Sequence, residues 1–599
     1  MRGTFHGIEI GRTGINMGQI GLDITGHNIA NVNTRGFTRQ RVVQTANDPH
    51  SSIGLIRPTA QALVGGGTRV KIHDQIRSEF LDRRFRTENT IASYWERRTQ
   101  ELRSLESFFD NVNEETSINA SLDRFFSAIH TMHTDTVAGA PRKEVQTTAL
   151  DMLQQLHSTH SGLVDLQRNQ DRAVAAVVDT INEIAEKIAS LNLSIYVHEI
   201  GGHIANDLRD KRNILLDELS SIIDIEYEVE RDMWGHGVFT VRIGGEILVH
   251  HEHHGRLSTI REEVPVGTPG RGLEDRYVPV WESTVFVHRN ASGAVMVGQT
   301  VPLTDALNLT LENGRGVSDR GSLVALMEMR DSVDPLRPGI PASIENLNNF
   351  ARALVQHVNA IHRQGFNDHP FEGSVNGQNF FHEDPTWGFV RTTGTPPTTK
   401  TVILEWNDTD GRFENAGDPT NTDYHFTTVL AAQQAGFARD LSALTIENIR
   451  LDARILESEY NIAASDRLVD RSDGAPPDLQ GGNNEIMKAL TALFLRNNLY
   501  LETANPADRV AIGSLDDFVT RVRVAVASTL RVSRNFAETS HNLALSAENQ
   551  RLAVAGVSLD EEMTHMIRFN HAYNGAARVI TAMDDALDRL INGTGRVGL

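Results

Sequence analysis

The sequence predicts an α+β, multidomain protein in which N- and C-terminal helices pair as a coiled-coil core, beneath a middle layer of long helices and inserted β-rich outer domains. Three observations predict it: a heptad repeat that fills the C-terminal end, a glycine stripe at helical spacing near the N-terminus, and a mid-chain switch to strand periodicity.

At the N-terminus Gly7, Gly11, Gly14, Gly18 and Gly21 step 4-3-4-3 and form one narrow stripe on a helix. Ile10, Met17 and Ile24 flank it on one side; Ile8, Ile15, Leu22 and Ile29 flank it on the other. A glycine groove lets another backbone approach closely. It costs up to about 1 kcal/mol per residue against alanine, roughly 4–5 kcal/mol for the stripe. The expectation is a segment that is mobile in the free monomer and helical on assembly. An extended arm follows from 37 to 56, restrained by Pro49 and Pro58.

Residues 70–110 and 141–196 are expected to form long amphipathic helices, with Ala173, Val177, Ile181, Ile184, Ile188 and Leu191 at helical spacing and Pro141 at a helix start. The period changes between 225 and 310. Residues 238–243, then Gly244-Gly245, then 246–249 predict a hairpin. Helix returns at 320–365, interrupted by Pro335, Pro338 and Pro341; 370–432, rich in Gly, Pro, Thr, Asn and Asp, predicts a β-rich insertion. Residues 440–555 are expected to be mostly helical.

From Leu559 the 4-3-4-3 positions are Leu559, Met563, Met566, Asn570, Tyr573, Ala577, Ile580, Asp584, Leu587 and Ile591, all apolar or small except Asn570 and Asp584. Ser558 with Glu561 makes a capping box, Asp560, Glu561 and Glu562 occupy the first turn, and Gly593 stands where a left-handed cap is expected. Such a helix is roughly 50 Å long and packs lengthwise on another helix.

The predicted organisation is therefore nested. Residues 1–64 with 556–599 make a terminal helical core. Residues 65–225 with 311–370 and 434–555 make a helical domain. Residues 226–310 and 371–433 make β-rich modules, which lie farthest from the axis of any tubular array.

Composition narrows the function. The 599 residues carry a net charge of −21, which disfavours nucleic acid, and 39% are hydrophobic, enough for real cores. No apolar run approaches the ~20 residues of a membrane span, and no cleavable signal is expected at the N-terminus. Cysteine is absent, which excludes disulfides and thiol chemistry and suits passage from a reducing to an oxidising space.

Residues 28–31 (NIAN), with Thr34, Gly36, Phe37, Arg39 and Gln40, resemble the N-terminal motif of bacterial flagellar axial proteins, and the segment from Val557 to Gly593 resembles their terminal helix. Interior segments resemble the hook-associated family FlgK: Gly65 to Val70 with Ile76, Arg77, Phe80 and Leu81; Ala205 to Leu208 through Asp217, Glu218 and Leu219; Val358, Asn359, His362, Gly365, Phe380 and Phe381; and Ile462 to Ser465. The chain departs from the family at Arg35 and Phe37, where proline and tyrosine are usual, at His571, and at the first helix, where glycine replaces alanine and leucine.

The resemblance implies a non-enzymatic structural role in the flagellum, joining hook to filament, with no cofactor. The chain would be exported without a cleavable signal to an extracellular position. Implied partners are further copies of itself, the hook protein, the second hook–filament junction protein and a cytoplasmic export chaperone at the C-terminal helix. A hook or rod protein is the alternative; a secreted metal-dependent hydrolase or an adhesin is further off. The expected assembly interface is Ile8, Ile15, Leu22, Asn28, Ile29, Asn31, Leu559, Met563, Met566, Tyr573, Ala577, Ile580, Leu587 and Ile591.

Other motifs carry less. His250-His251-Glu252-His253-His254 has metal-ligating side chains, but it follows a predicted strand and is read as a solvated loop. His198 and His203 are five apart, not the i, i+4 of a zinc protease helix. Asp408 to Gly411 lacks the third acidic position and the glutamate at position twelve of a calcium loop, and is read as a turn. Arg83, Arg84 and Arg86 are expected to face solvent or a neighbour's acids.

Overall fold

The computed structural model describes residues 5–47, 65–109, 117–231, 237–265, 268–282, 288–289, 295–296, 301–302, 320–367, 377–384, 389–393, 400–407, 412–415, 438–439, 441–469, 478–479, 483–501 and 510–593. Pro49, Pro58 and Asp408–Gly411 lie outside them.

The fold is α+β. Helix α1 (His6–Ala30) leads through a turn to strand β1 (Gln40–Ala46), which pairs antiparallel with β2 (Thr68–Gln75). The helix expected from residue 70 thus begins later, at α2 (Glu79–Glu106). Thr68, Val70 and Ile72 alternate, and β1 supplies a partner for their backbone, so the strand period wins there.

Helices α3 (Ile118–Thr134), α4 (Gly139–Ile200) and α5 (Asn206–Ile222) follow. Ser117 caps α3, its hydroxyl accepting from the Ala120 N–H at 3.0 Å. Helix α4 is 62 residues long and is the spine of the molecule. Its first half (Val145, Met152, Leu156) packs into one core with Phe125, Phe350 and Phe380; its second half (Val174, Val178, Ile181, Ile188) packs into another with Leu216, Leu219, Val241 and Trp281. The second core ties α4 and α5 to a β module.

Among the described residues that module holds three sheets, the smallest a pairing of His288–Arg289 with Val295–Met296. Strands β3 (Glu226–Arg231), β4 (Gly237–Ile243), β5 (Glu246–His250) and β6 (His253–His254) lie antiparallel in that order. Gly244 (φ 57) and Gly245 (φ 85) form the tight β4–β5 turn, where only residues tolerant of positive φ serve. Strands β7 (Arg256–Glu263), β8 (Asp275–Glu282) and β9 (Val301–Pro302) form the second sheet, with β8 in the middle.

Helices α6 (Ser322–Asp331) and α7 (Ile340–His362) return to the helical body. A four-stranded antiparallel sheet follows, in the order β12 (Arg412–Asn415), β11 (Lys400–Asn407), β10 (Phe389–Thr393), β13 (Ala438–Arg439). The expectation of helix from 440 on holds only in part. Described residues between 441 and 479 are mainly turns with one five-residue helix, Ala453–Glu457, and they plug the first core with Leu444, Ile446, Ile449 and Ile462. Helix α8 (Glu485–Phe494) leads to the long α9 (Leu515–Ala555) and α10 (Leu559–Gly593). Gly593 still belongs to α10, and it is absent from the glycines with positive φ, so it does not form the expected left-handed cap.

Helix α9 runs antiparallel along α2. Trp95 stacks on Phe536 at 4.7 Å, and Arg84 reaches Gln550 at 3.0 Å. Arg86, expected to face outward, is 3% exposed and pairs with Asp217 at 2.8 Å, which also accepts from Arg551 at 2.6 Å. Burial between α2, α5 and α9 explains the correction: a charge there needs a partner within the chain.

Candidate assembly interface

Helix α10 lies antiparallel against α1, and the glycine stripe is where they touch. A Cβ built on Gly7 would stand 2.6 Å from Met583 Sδ, one on Gly11 2.5 Å from Ile580 Cγ1, and one on Gly14 2.9 Å from Ala576 Cβ. Gly18 faces Tyr573 Cβ at 2.9 Å and Gly21 the Phe569 ring at 2.4 Å. A Cβ at any of these positions would force α10 to give way, cheaply only at Gly7, where the obstacle is the flexible end of Met583. The groove finds its occupant within one copy, against which α1 is helical from His6 to Ala30. Packing against α10 supplies what an isolated glycine-rich helix lacks.

The occupant residues Phe569, Tyr573, Ala576, Ile580 and Met583 themselves step 4-3-4-3. Tyr573 and Ile580 belong to the expected seam; Phe569, Ala576 and Met583 replace Asn570, Ala577 and Asp584. Of the other expected residues, Ile8, Ile15, Leu22, Ile29, Asn31, Met566, Ala577 and Leu587 are half-buried, and Asn28 is buried. Leu559 (44% exposed), Met563 (50%) and Ile591 (65%) face away from α1. The C-terminal seam is therefore corrected by one residue at alternate positions. The apolar set Met566, Phe569, Tyr573, Ala576, Ile580, Met583, Leu587 and Leu590 has no polar member and was visible in the sequence.

Above the groove a polar joint fixes both helices to the body. Asn28 is 1% exposed, and its amide pairs both ways with the backbone of Gln40: Oδ1 accepts from Gln40 N at 3.0 Å and Nδ2 donates to Gln40 O at 2.9 Å. Asn28 Nδ2 also donates to Glu562 at 3.1 Å. Arg39 donates to Glu562 at 2.7 Å and to Glu561 at 2.6 Å. Glu561, the expected capping-box acid, thus serves Arg39.

The turn between α1 and β1 requires Gly36, whose φ is 77 and whose Cβ would stand 2.4 Å from Ile214. Phe37 sets its ring edge against His27 at 5.3 Å.

Two of the interior segments, those around Arg77 and around Asp207 to Asp210, meet at the same joint. Thr38 donates from its backbone (2.9 Å) and hydroxyl (2.7 Å) to Asp210, and Gln40 donates to Asp207 at 2.8 Å. Arg77 pairs with Asp82 at 2.5 Å and reaches Asp210 at 3.5 Å. Burial raises the Asp210 pKa above its ordinary value, opposed by the Thr38 hydrogen bonds and the charge of Arg77. Nearby Arg212 is pushed down to about 9, first by burial and then by Arg209, and rests over the Phe239 ring at 3.9 Å. Thr38, Arg39, Gln40, Asp207, Asp210 and Glu562 were not anticipated as interface residues. Their clustering within motifs was the available signal.

The histidine motifs are placed structurally. His250 ends β5, with Nδ1 3.0 Å from Thr240 Oγ1; His251 (φ 53) turns the chain; His253 and His254 form β6. Glu199 binds Arg209 at 2.7 Å and accepts from Ala205 N at 3.2 Å, and so closes the loop between α4 and α5. Among the described residues, no group of His, Asp and Glu is arranged to hold a metal ion, and no helix is long and apolar enough to cross a membrane.

The chain is similar to known proteins along most of its length. Residues 102–273 match the family model described as the flagellar hook-associated protein FlgK helical domain. Residues 548–593 match that of the flagellar basal body rod FlgEFG protein C-terminal region. The chain is 25% identical over 600 residues to flagellar hook-associated protein 1 of Bacillus subtilis (strain 168), covering 99% of each. It is 21% identical to the protein of that name from Salmonella typhimurium, over 97% of this chain and 98% of that one. In fold it is similar to the flagellar hook junction protein FlgK from Burkholderia pseudomallei, with a TM-score of 0.51 and 12% identity, over 79% of this chain and 100% of that one. With both terminal motifs meeting at one joint, the chain is similar over nearly its whole length to flagellar hook-associated proteins of the FlgK family.

Proposed function

We propose that this protein is a structural component of the bacterial flagellum that joins hook to filament, and that its terminal helices form the coiled-coil core of a tubular array. The observation that carries the reading is the glycine groove of α1 seated on α10 while several apolar residues elsewhere on α10 stay open. Leu559, Met563, Ile567, Leu590 and Ile591 are exposed along it. A monomer gains nothing from that surface; neighbouring subunits bury it at about 25 cal/mol per Å². A heterologous contact of this kind builds rings and helical arrays.

The interface in this reading is Ile8, Ile15, Leu22, Asn28, Ile29 and Asn31 of α1 and its turn, with Leu559, Met563, Met566, Tyr573, Ala577, Ile580, Leu587 and Ile591 of α10. The terminal pair, the helical body and the outer β modules act as separate domains, and the role is structural, not catalytic. The partners are the chain's own copies, the hook protein, the second junction protein, and a chaperone that masks α10 before export to the cell exterior.

The test is Ile580→Asp in cells that assemble flagella. Loss of the protein from isolated flagella, with the helical body still folded by circular dichroism, supports the reading. Normal incorporation would falsify it.

A further inference from the structure

We propose that neighbouring copies meet through opposite charge, the basic segment of α9 in one copy lying against the acidic end of α10 in the next. The inference rests on the tubular self-assembly reading and names the surfaces that meet.

Between Phe518 and Ala537, α9 contains Arg521, Arg523, Arg531 and Arg534 and no carboxylate, in a chain of net charge −21. Its inner face (Val519, Val522, Val526, Leu530, Ser533) is buried. Arg521, Arg531 and Arg534 are exposed, as are Val524 and Val532. Among the described residues none of these arginines has a carboxylate within ion-pair distance. The outward face of α9 is thus basic and apolar at once, a composition that solvation alone does not call for.

The acidic end of α10 is its complement. Asp584, Asp585 and Asp588 are exposed beside Met583, Leu590 and Ile591. Within one copy α9 lies along α2 and α10 along α1, so neither surface covers the other. A repeating contact between two different surfaces of the same chain is what an array requires. Opposite charge would also set its register and suppress a like-to-like pairing. Exposed apolar residues continue from α9 (Leu543, Leu552) into α10 (Leu559, Met563), so the contact joins the open face already described.

The absence of cysteine makes the test direct. Arg531→Cys with Asp584→Cys in one chain should give disulfide-linked multimers in isolated flagella that collapse on reduction, while each single variant stays monomeric. A double variant that incorporates at the junction but stays monomeric, or bonds only to a different protein, overturns the inference and leaves the junction reading intact. Charge reversal covers the case of poor assembly. Arg531→Glu with Arg534→Glu should lower incorporation about tenfold or more. Adding Asp584→Arg with Asp588→Arg should restore it. Unchanged incorporation in the first, or no recovery in the second, counts against the contact.

Discussion

Arg39 Nε donates to Glu562 Oε1 at 2.7 Å, although 523 residues separate them. Glu562 is 3% exposed and also accepts from Asn28, so one carboxylate closes the joint between first helix, arm and last helix. The chain's two ends are locked by a charge that water does not reach.

Removing that carboxylate should be costly. Glu562→Ala leaves a guanidinium and an amide without their partner, and the expected loss is ~2–4 kcal/mol in the docking of α10. Asn28→Asp should be worse than Asn28→Ala, because it sets a second carboxylate beside Glu562. Hydrogen exchange of peptides from α1 and the first turns of α10 checks both.

The glycine groove makes a prediction opposite in sign to helix propensity. Gly21→Ala gains up to about 1 kcal/mol of helix propensity, yet its methyl would collide with Phe569, and a net destabilisation of ~1–3 kcal/mol is expected. Gly26→Ala, on the same helix with nothing within 4 Å of its Cβ, should stabilise by up to about 1 kcal/mol. Thermal unfolding of the two variants side by side decides it; equal shifts would mean that α1 does not pack through this face.

Acid should loosen the first core. His362 is fully buried; its Nδ1 donates to Gln378 O at 2.8 Å and its Nε2 accepts from Ala463 N at 2.9 Å. Burial, the largest cause, lowers its pKa from 6.5 to about 4. The unfolded imidazole therefore takes up a proton that the folded one refuses. Stability is full above the unfolded value and falls as pH drops from about 6.5 towards 4, by ~3 kcal/mol in total. Urea midpoints measured across that window should shift less in His362→Gln than in the parent.

Much of this was legible in the sequence. The glycine stripe located the face of α1, the Gly-Gly turn located the β4–β5 hairpin, and the motif at Asn28 marked the joint. The α10 seam was legible to within one residue. Met566, Tyr573, Ile580 and Leu587 serve either 4-3 pattern, but one residue is about 100° of helix, and that angle decides whether Phe569 or Asn570 enters the groove. Glu562 looked like a first-turn acid serving the helix dipole. Only the return of β1 beside it makes it a buried latch, and no local pattern encodes a contact with Arg39 at the other end of the chain.

The most direct test of the central claim is where the protein sits. A single cysteine at the exposed Glu252, in a chain that has none, can carry a gold label in isolated flagella viewed by electron microscopy. The account predicts label in one narrow band between hook and filament. Label spread along the hook or confined to the rod would contradict it.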